Sequence, residues 1–135
     1  MKRGTEIVFV ILVLAVLCAC GGNVRDAVIV PVQSEIYTEK EIDGAVKTAM
    51  NYFTREFSGC TLKEIRYIGD EAKDSFSEWA EQYDADNAII LLSTFDVDAS
   101  GGDGSLNPNS TYTNWQWILV RNGKGSWRHV THGYG

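Results

Sequence analysis

The chain is poor in the residues that build most catalytic and metal centres. It holds two histidines, three cysteines and two prolines among 135 residues. Cys18 and Cys20 stand at the end of an apolar leader, so only Cys60 belongs to the stretch that follows. A lone thiol has no internal disulfide partner and no metal-ligand spacing. Cys60 reads as a small buried apolar residue. His129 and His132 are three apart in a strand-like run, which places them on opposite faces and excludes chelation as an adjacent pair. Lys and Arg number 12 against 18 Asp and Glu, for a net charge of −6, and they never cluster. Gripping a phosphate backbone takes a basic patch, so no nucleic-acid partner is expected. No apolar run reaches the ~20 residues of a membrane-spanning helix.

What the chain does have is aromatic: four Trp, six Tyr and five Phe. Three of the tryptophans fall between Asn114 and Tyr134. There, two apolar-aromatic runs flank Asn122-Gly-Lys-Gly125, the pattern of a β-hairpin. Trp115, Trp117 and Leu119 share one strand face, and Trp127 is expected to join them across the pair. The helices upstream need an apolar sheet face of matching size, so these rings are expected to be core.

The most secure helix begins at Thr38-Glu-Lys-Glu41, a capping box. Ile42, Ala45, Val46, Ala49, Met50, Phe53 and Phe57 then follow with one-sided helical spacing. Gly59 suits a left-handed C′ position. Cys60 to Ile68 reads as a strand. Phe76, Trp79, Ala80 and Tyr83 mark a second helix face, with Asp74 as its N-cap. Asn87 to Asp98 reads as a long strand. Its Ala88–Leu92 core is apolar on both faces, as in a central strand. Asp98 to Thr111 is a polar loop. Asp96-x-Asp98-x-Ser100-Gly101 copies the opening of a calcium loop, but Asn107 stands where the closing Glu would be, so no metal is expected.

The leader has its own pattern. Lys2 and Arg3 precede the apolar run Ile7–Ala19, which ends in Leu17-Cys18-Ala19-Cys20. This resembles the lipobox of bacterial lipoproteins. The resemblance implies cleavage before Cys20 and acyl chains on Cys20, hence a membrane partner through a lipid anchor on the extracytoplasmic face. Residues 1–19 would then be a signal peptide. Residues 20–35 read as a tether: Gly21-Gly22 open it, and Pro31 confines the apolar Val28–Val32 to an edge strand or, preferably, an extended linker.

Residues 36–135 form the domain. The order helix, strand, helix, three strands, ending Trp115-Gln-Trp-Ile-Leu-Val-Arg121…Gly125-Ser-Trp127…Gly133-Tyr134, resembles the NTF2-like (cystatin-like) superfamily, and in particular small exported lipoproteins of that class. The resemblance implies an α+β fold with helices packed on a curved antiparallel sheet around a conical pocket. Candidate pocket residues are Tyr52, Trp79, Trp115, Trp117 and Trp127. Members include isomerases and dehydratases, which use a carboxylate or His base facing the cavity, often with a Tyr, and also non-enzymatic binding modules. No catalytic pair and no cofactor can be assigned from the residues, so the expectation is a non-catalytic domain at the cell envelope. It would bind a small ligand or an envelope protein, with a small isomerase- or lyase-like enzyme as the alternative. A cystatin-type inhibitor is disfavoured, because the Gln-Val-x-Val-Gly wedge is missing.

Overall fold

A computed structural model describes residues 21–134. The leader and Cys20 lie outside the described residues. The fold is α+β, with two helices against a five-stranded, mostly antiparallel sheet. The elements are β1 (Val28–Val30), α1 (Glu39–Glu56), β2 (Cys60–Tyr67), α2 (Lys73–Gln82), β3 (Asn87–Val97), β4 (Thr111–Arg121) and β5 (Arg128–Tyr134). The strands lie in sequence order, β1-β2-β3-β4-β5. All pairs are antiparallel except β1–β2. A parallel pair needs a crossover, and α1 supplies it.

Helix α1 starts as its sequence dictates. Thr38 Oγ1 accepts from the Glu41 N–H at 3.1 Å, and the Glu41 carboxylate accepts from the Thr38 N–H at 2.9 Å. Ala45, Val46, Ala49 and Phe53 are buried along one stripe. The helix ends at Phe57. Gly59, at φ 75°, serves the turn that follows rather than the C′ position, and Cys60 N–H closes that turn onto the Phe57 carbonyl at 3.1 Å. Asp74 does not cap α2. A short 3-10 turn, Asp70–Ala72, leads into the helix, so Asp74 falls inside its first turn.

The core is built largely from α1 and the inward faces of β2, β3 and β4. Phe53, Ile65, Tyr67, Ile89, Leu91, Phe95, Trp117 and Leu119 are all essentially inaccessible. The opposite positions Ala88, Ile90, Ile118 and Val120 are buried too, so the central strands are covered on both faces. Burial of that kind explains the unbroken apolar run in β3.

Three bulges shape the sheet. Lys63 is the extra residue between the Leu62–Phe95 and Glu64–Thr94 pairs, which is why inward residues in β2 are spaced by three there. Between the Phe95–Tyr112 and Ser93–Trp115 pairs, β4 carries an extra residue, and Asn114 turns it at φ 53°. In β5 the extra residue is Val130, between the Ile118–Thr131 and Leu119–His129 pairs. Each bulge bends its strand and increases the local twist.

The stretch expected as a free tether is fastened to the fold instead. Val28–Val30 pairs with Glu64–Arg66. Gly22 N–H donates to the Thr54 carbonyl at 3.0 Å, and Asn23 pairs with Thr61. Further along, Asp70 accepts from Ser34 Oγ at 2.6 Å, from the Glu35 N–H at 2.7 Å and from the Tyr67 hydroxyl at 2.7 Å. Pro31 does not prevent this, because it falls just after the three paired residues of an edge strand.

Candidate functional site

A cluster of aromatic and titratable side chains lies between the C-terminal half of α1 and the β4–β5 pair. The Val130 bulge creates it. In a regular strand His129 and His132 would point to opposite faces. The extra residue returns both to the inward face, so the expected separation is overturned. His129 Nε2 lies 3.1 Å from His132 Nδ1, a hydrogen bond in which one ring donates and the other accepts. Tyr52, projecting from α1, stacks on His129 with ring centroids 4.0 Å apart. Trp117 and Phe57 pack against His132 with centroids 5.2 Å away in each case.

Burial controls the charge state of this pair. Desolvation, then the neighbouring His132, then Arg55, push His129 down to about 4. Desolvation lowers His132 as well. Both shifts favour the neutral imidazole, and the hydrogen bond between the rings needs at least one nitrogen without a proton to accept it.

A cavity of about 190 Å³ opens beside the pair. Tyr52, Phe57, Cys60, Leu106, Trp115 and His132 contribute to its wall. The β3–β4 loop closes one side, where Gly102 brings the backbone close: a Cβ there would sit 3.2 Å from Leu106 and 3.5 Å from the Ser58 carbonyl. The Cys60 thiol is pushed up to about 11, first by burial and then by Asp98 and Asp103. It is a protonated, weakly nucleophilic group at neutral pH. Trp115 Nε1 is buried with no hydrogen-bond partner among the described residues.

The five pocket residues suggested by sequence do not converge. Tyr52 and Trp115 line this cavity. Trp117 lies just behind it, fully buried, its Nε1–H donating to Ser93 Oγ at 2.8 Å. Trp127 is at the other end of α1, where its Nε1–H donates to the Glu41 carbonyl at 2.9 Å. It borders a separate cavity of about 470 Å³ together with Lys40, Glu41, Arg121 and Lys124. Trp79 is half-buried on α2, stacks on Tyr83 and belongs to neither lining.

Arg121 is the residue that sequence reasoning passed over. It is 6% exposed, stacks over Trp127 at 4.3 Å and pairs with Glu41 through Nη2. The Thr38 backbone N–H and then Arg121 hold the Glu41 carboxyl down at about 2. The Arg at the end of an apolar strand was the available signal, but its partner is 80 residues away in sequence.

In the calcium-like loop, Asp98 accepts from Ser100 N–H at 2.9 Å and from the Ser100 hydroxyl, and Asp103 binds Ser105 in the same way. These carboxylates are engaged in local turns. Among the described residues, no three His, Cys, Asp or Glu side chains gather as a metal site. Compared with protein families, with curated proteins and with solved structures, the chain matches none.

Proposed function

We propose that this chain is a membrane-tethered lipoprotein of the cell envelope whose domain is non-catalytic and binds a compact apolar or aromatic molecule. The finer fold proposed is NTF2-like. The bulged, mostly antiparallel sheet with α1 packed on it supports that assignment. The anchor rests on Leu17-Cys18-Ala19-Cys20 after a short apolar run. Cys20→Ser should abolish acyl labelling and release the protein from the membrane fraction. Unchanged labelling and retention would sink the anchor.

The observation that carries the binding reading is the 190 Å³ cavity, in which Tyr52, Phe57, Leu106, Trp115 and the His132 ring form an aromatic and apolar wall, with Glu56 and Asp103 also in its lining. Apolar cavities of about 150 Å³ accept a benzene-sized guest. Phenol is a suitable probe. It should raise the thermal midpoint in proportion to the logarithm of its concentration, and Leu106→Trp, which fills the cavity, should remove the effect. No shift in the parent domain would refute the reading.

A second reading, a small isomerase- or lyase-like enzyme, draws on one specific feature. His132 and Tyr52 line the same cavity, which is the His-and-Tyr arrangement such chemistry uses. Proton exchange at the α-carbon of a small carbonyl compound, followed by deuterium incorporation, distinguishes the two. Incorporation lost in His132→Gln would favour the enzyme.

A further inference from the structure

The N-terminal segment after Cys20 is docked against the end of α1 and the start of β2. Gly22 is buried, and its N–H donates to the Thr54 carbonyl at the end of α1 at 3.0 Å. Asn23 N–H donates to the Cys60 carbonyl at 2.9 Å, and its own carbonyl accepts from Leu62 N–H at 2.8 Å. Both glycines are demanded by contact. A Cβ on Gly21 would overlap the Thr54 carbonyl. One on Gly22 would overlap the Phe53 carbonyl and come within 2.8 Å of the Phe53 ring. Gly21-Gly22 therefore serves as a close-packed joint here, where Gly pairs usually give flexibility.

Only Gly21 stands between Cys20 and the first of these hydrogen bonds. Consecutive Cα atoms are about 3.8 Å apart, so two residues of chain allow a lipid-bearing residue at position 20 a reach of at most roughly 8 Å from the Gly22 Cα. A flexible tether over residues 20–35 would instead let the domain wander about 22 Å from its anchor. On the reading that Cys20 carries the lipid, we propose that the domain rests directly on the bilayer, and that the lipid surface is the partner of one particular end.

That end holds the C-terminal turn of α1, the start of β2 and the β3–β4 loop. The loop is tied there by Asp98 N–H, which donates to the Gly59 carbonyl at 2.9 Å. The 190 Å³ cavity belongs to the same end, since Ser58, Cys60 and Leu106 are in its wall. The hairpin turn carrying Lys124 is at the far end. It adjoins the start of α1, which is anchored to Trp127 through the Glu41 carbonyl. The 18 residues of α1 hold these ends about 27 Å apart. A ligand for the cavity would then enter or leave next to the membrane interface.

The test uses the full chain, expressed with its leader, processed and reconstituted in phosphatidylcholine vesicles that carry a nitroxide on the headgroup. Asn107→Cys and Lys124→Cys, both at exposed positions, are labelled with an environment-sensitive fluorophore. Cys60 is buried and does not compete for the label. Quenching at position 107 should exceed that at position 124 several-fold. Inserting ten Gly and Ser residues between Cys20 and Gly21 should equalise the two while acyl labelling stays unchanged. Gly22→Val, which undocks the joint, should do the same. Equal quenching at both positions in an acyl-labelled, spacer-free protein would overturn the orientation and leave the anchor standing. Absence of acyl label would remove the anchor, and the orientation with it.

Discussion

Trp117 offers the sharpest check on how the two layers meet. Its ring is 1% exposed and lies 5.2 Å from Phe57 and 6.2 Å from Phe53, centroid to centroid, so it bridges α1 and β4. Trp117→Ala removes the largest fully buried side chain and leaves a cavity that the rigid neighbours fill only in part. Such truncations cost about 3–5 kcal/mol. The variant also loses the bond from Nε1 to Ser93 Oγ, which contributes about 1 kcal/mol. The Ser93 hydroxyl keeps its second bond, to the Trp115 carbonyl at 3.2 Å, so it is not stranded. Taking about 4 kcal/mol and a urea m-value of about 1.5 kcal/mol/M, the midpoint should fall by roughly 2.5 M at unchanged m. Trp117→Phe keeps most of the ring contacts and should shift the midpoint by less than half as much. Equilibrium unfolding followed by far-UV circular dichroism reads both variants. A Trp117→Ala midpoint within error of the parent would refute the packing. If that variant also lost an envelope partner, the ring would belong to a binding surface instead.

Three further outcomes follow from the charges and the anchor. His129 is depressed to about 4 in the fold, against about 6.5 when unfolded. Its neutral form is thus required for stability, which is full above about 6.5 and declines as the pH falls toward 4. His129→Gln should flatten that part of the pH–stability curve, and an unchanged slope would count against the buried pair. Glu41 works in a more acidic window. Its carboxyl is held at about 2, so its contribution is complete above the usual carboxylate range and is lost as the pH falls through about 2. Glu41→Ala leaves the guanidinium of Arg121 buried without its ion partner and should destabilise the domain by about 3 kcal/mol. A loss no larger than that of an ordinary N-terminal cap, about 1 kcal/mol, would show that Arg121 is solvated. Cys20→Ser should release the protein from membranes, as read by fractionation and acyl labelling.

The amino-acid sequence by itself determined what local chemistry can determine. Thr38 and Glu41 cap α1 because their side chains reach backbone N–H groups three residues away. The apolar stripe from Ile42 to Phe53 faces the sheet because helical spacing leaves it nowhere else to go. The double-sided burial of β3 was readable in Ala88–Leu92, and the inward placement of Trp115 and Trp117 in their alternation.

The tertiary structure decided whatever depends on register and on partners distant in the chain. Val130 looks like any strand residue until its pairing with β4 makes it a bulge, and that one extra residue turns two separated histidines into a bonded pair. Val28–Val30 becomes a strand only because β2 offers it an edge. Gly21-Gly22 reads as a flexible joint until the carbonyls of Phe53 and Thr54 come up against it. Arg121 finds Glu41 across 80 residues. Side-chain periodicity is set by the backbone of one segment, whereas register, docking and ion pairing are set by two segments meeting. Nothing in either segment alone encodes where the other will lie.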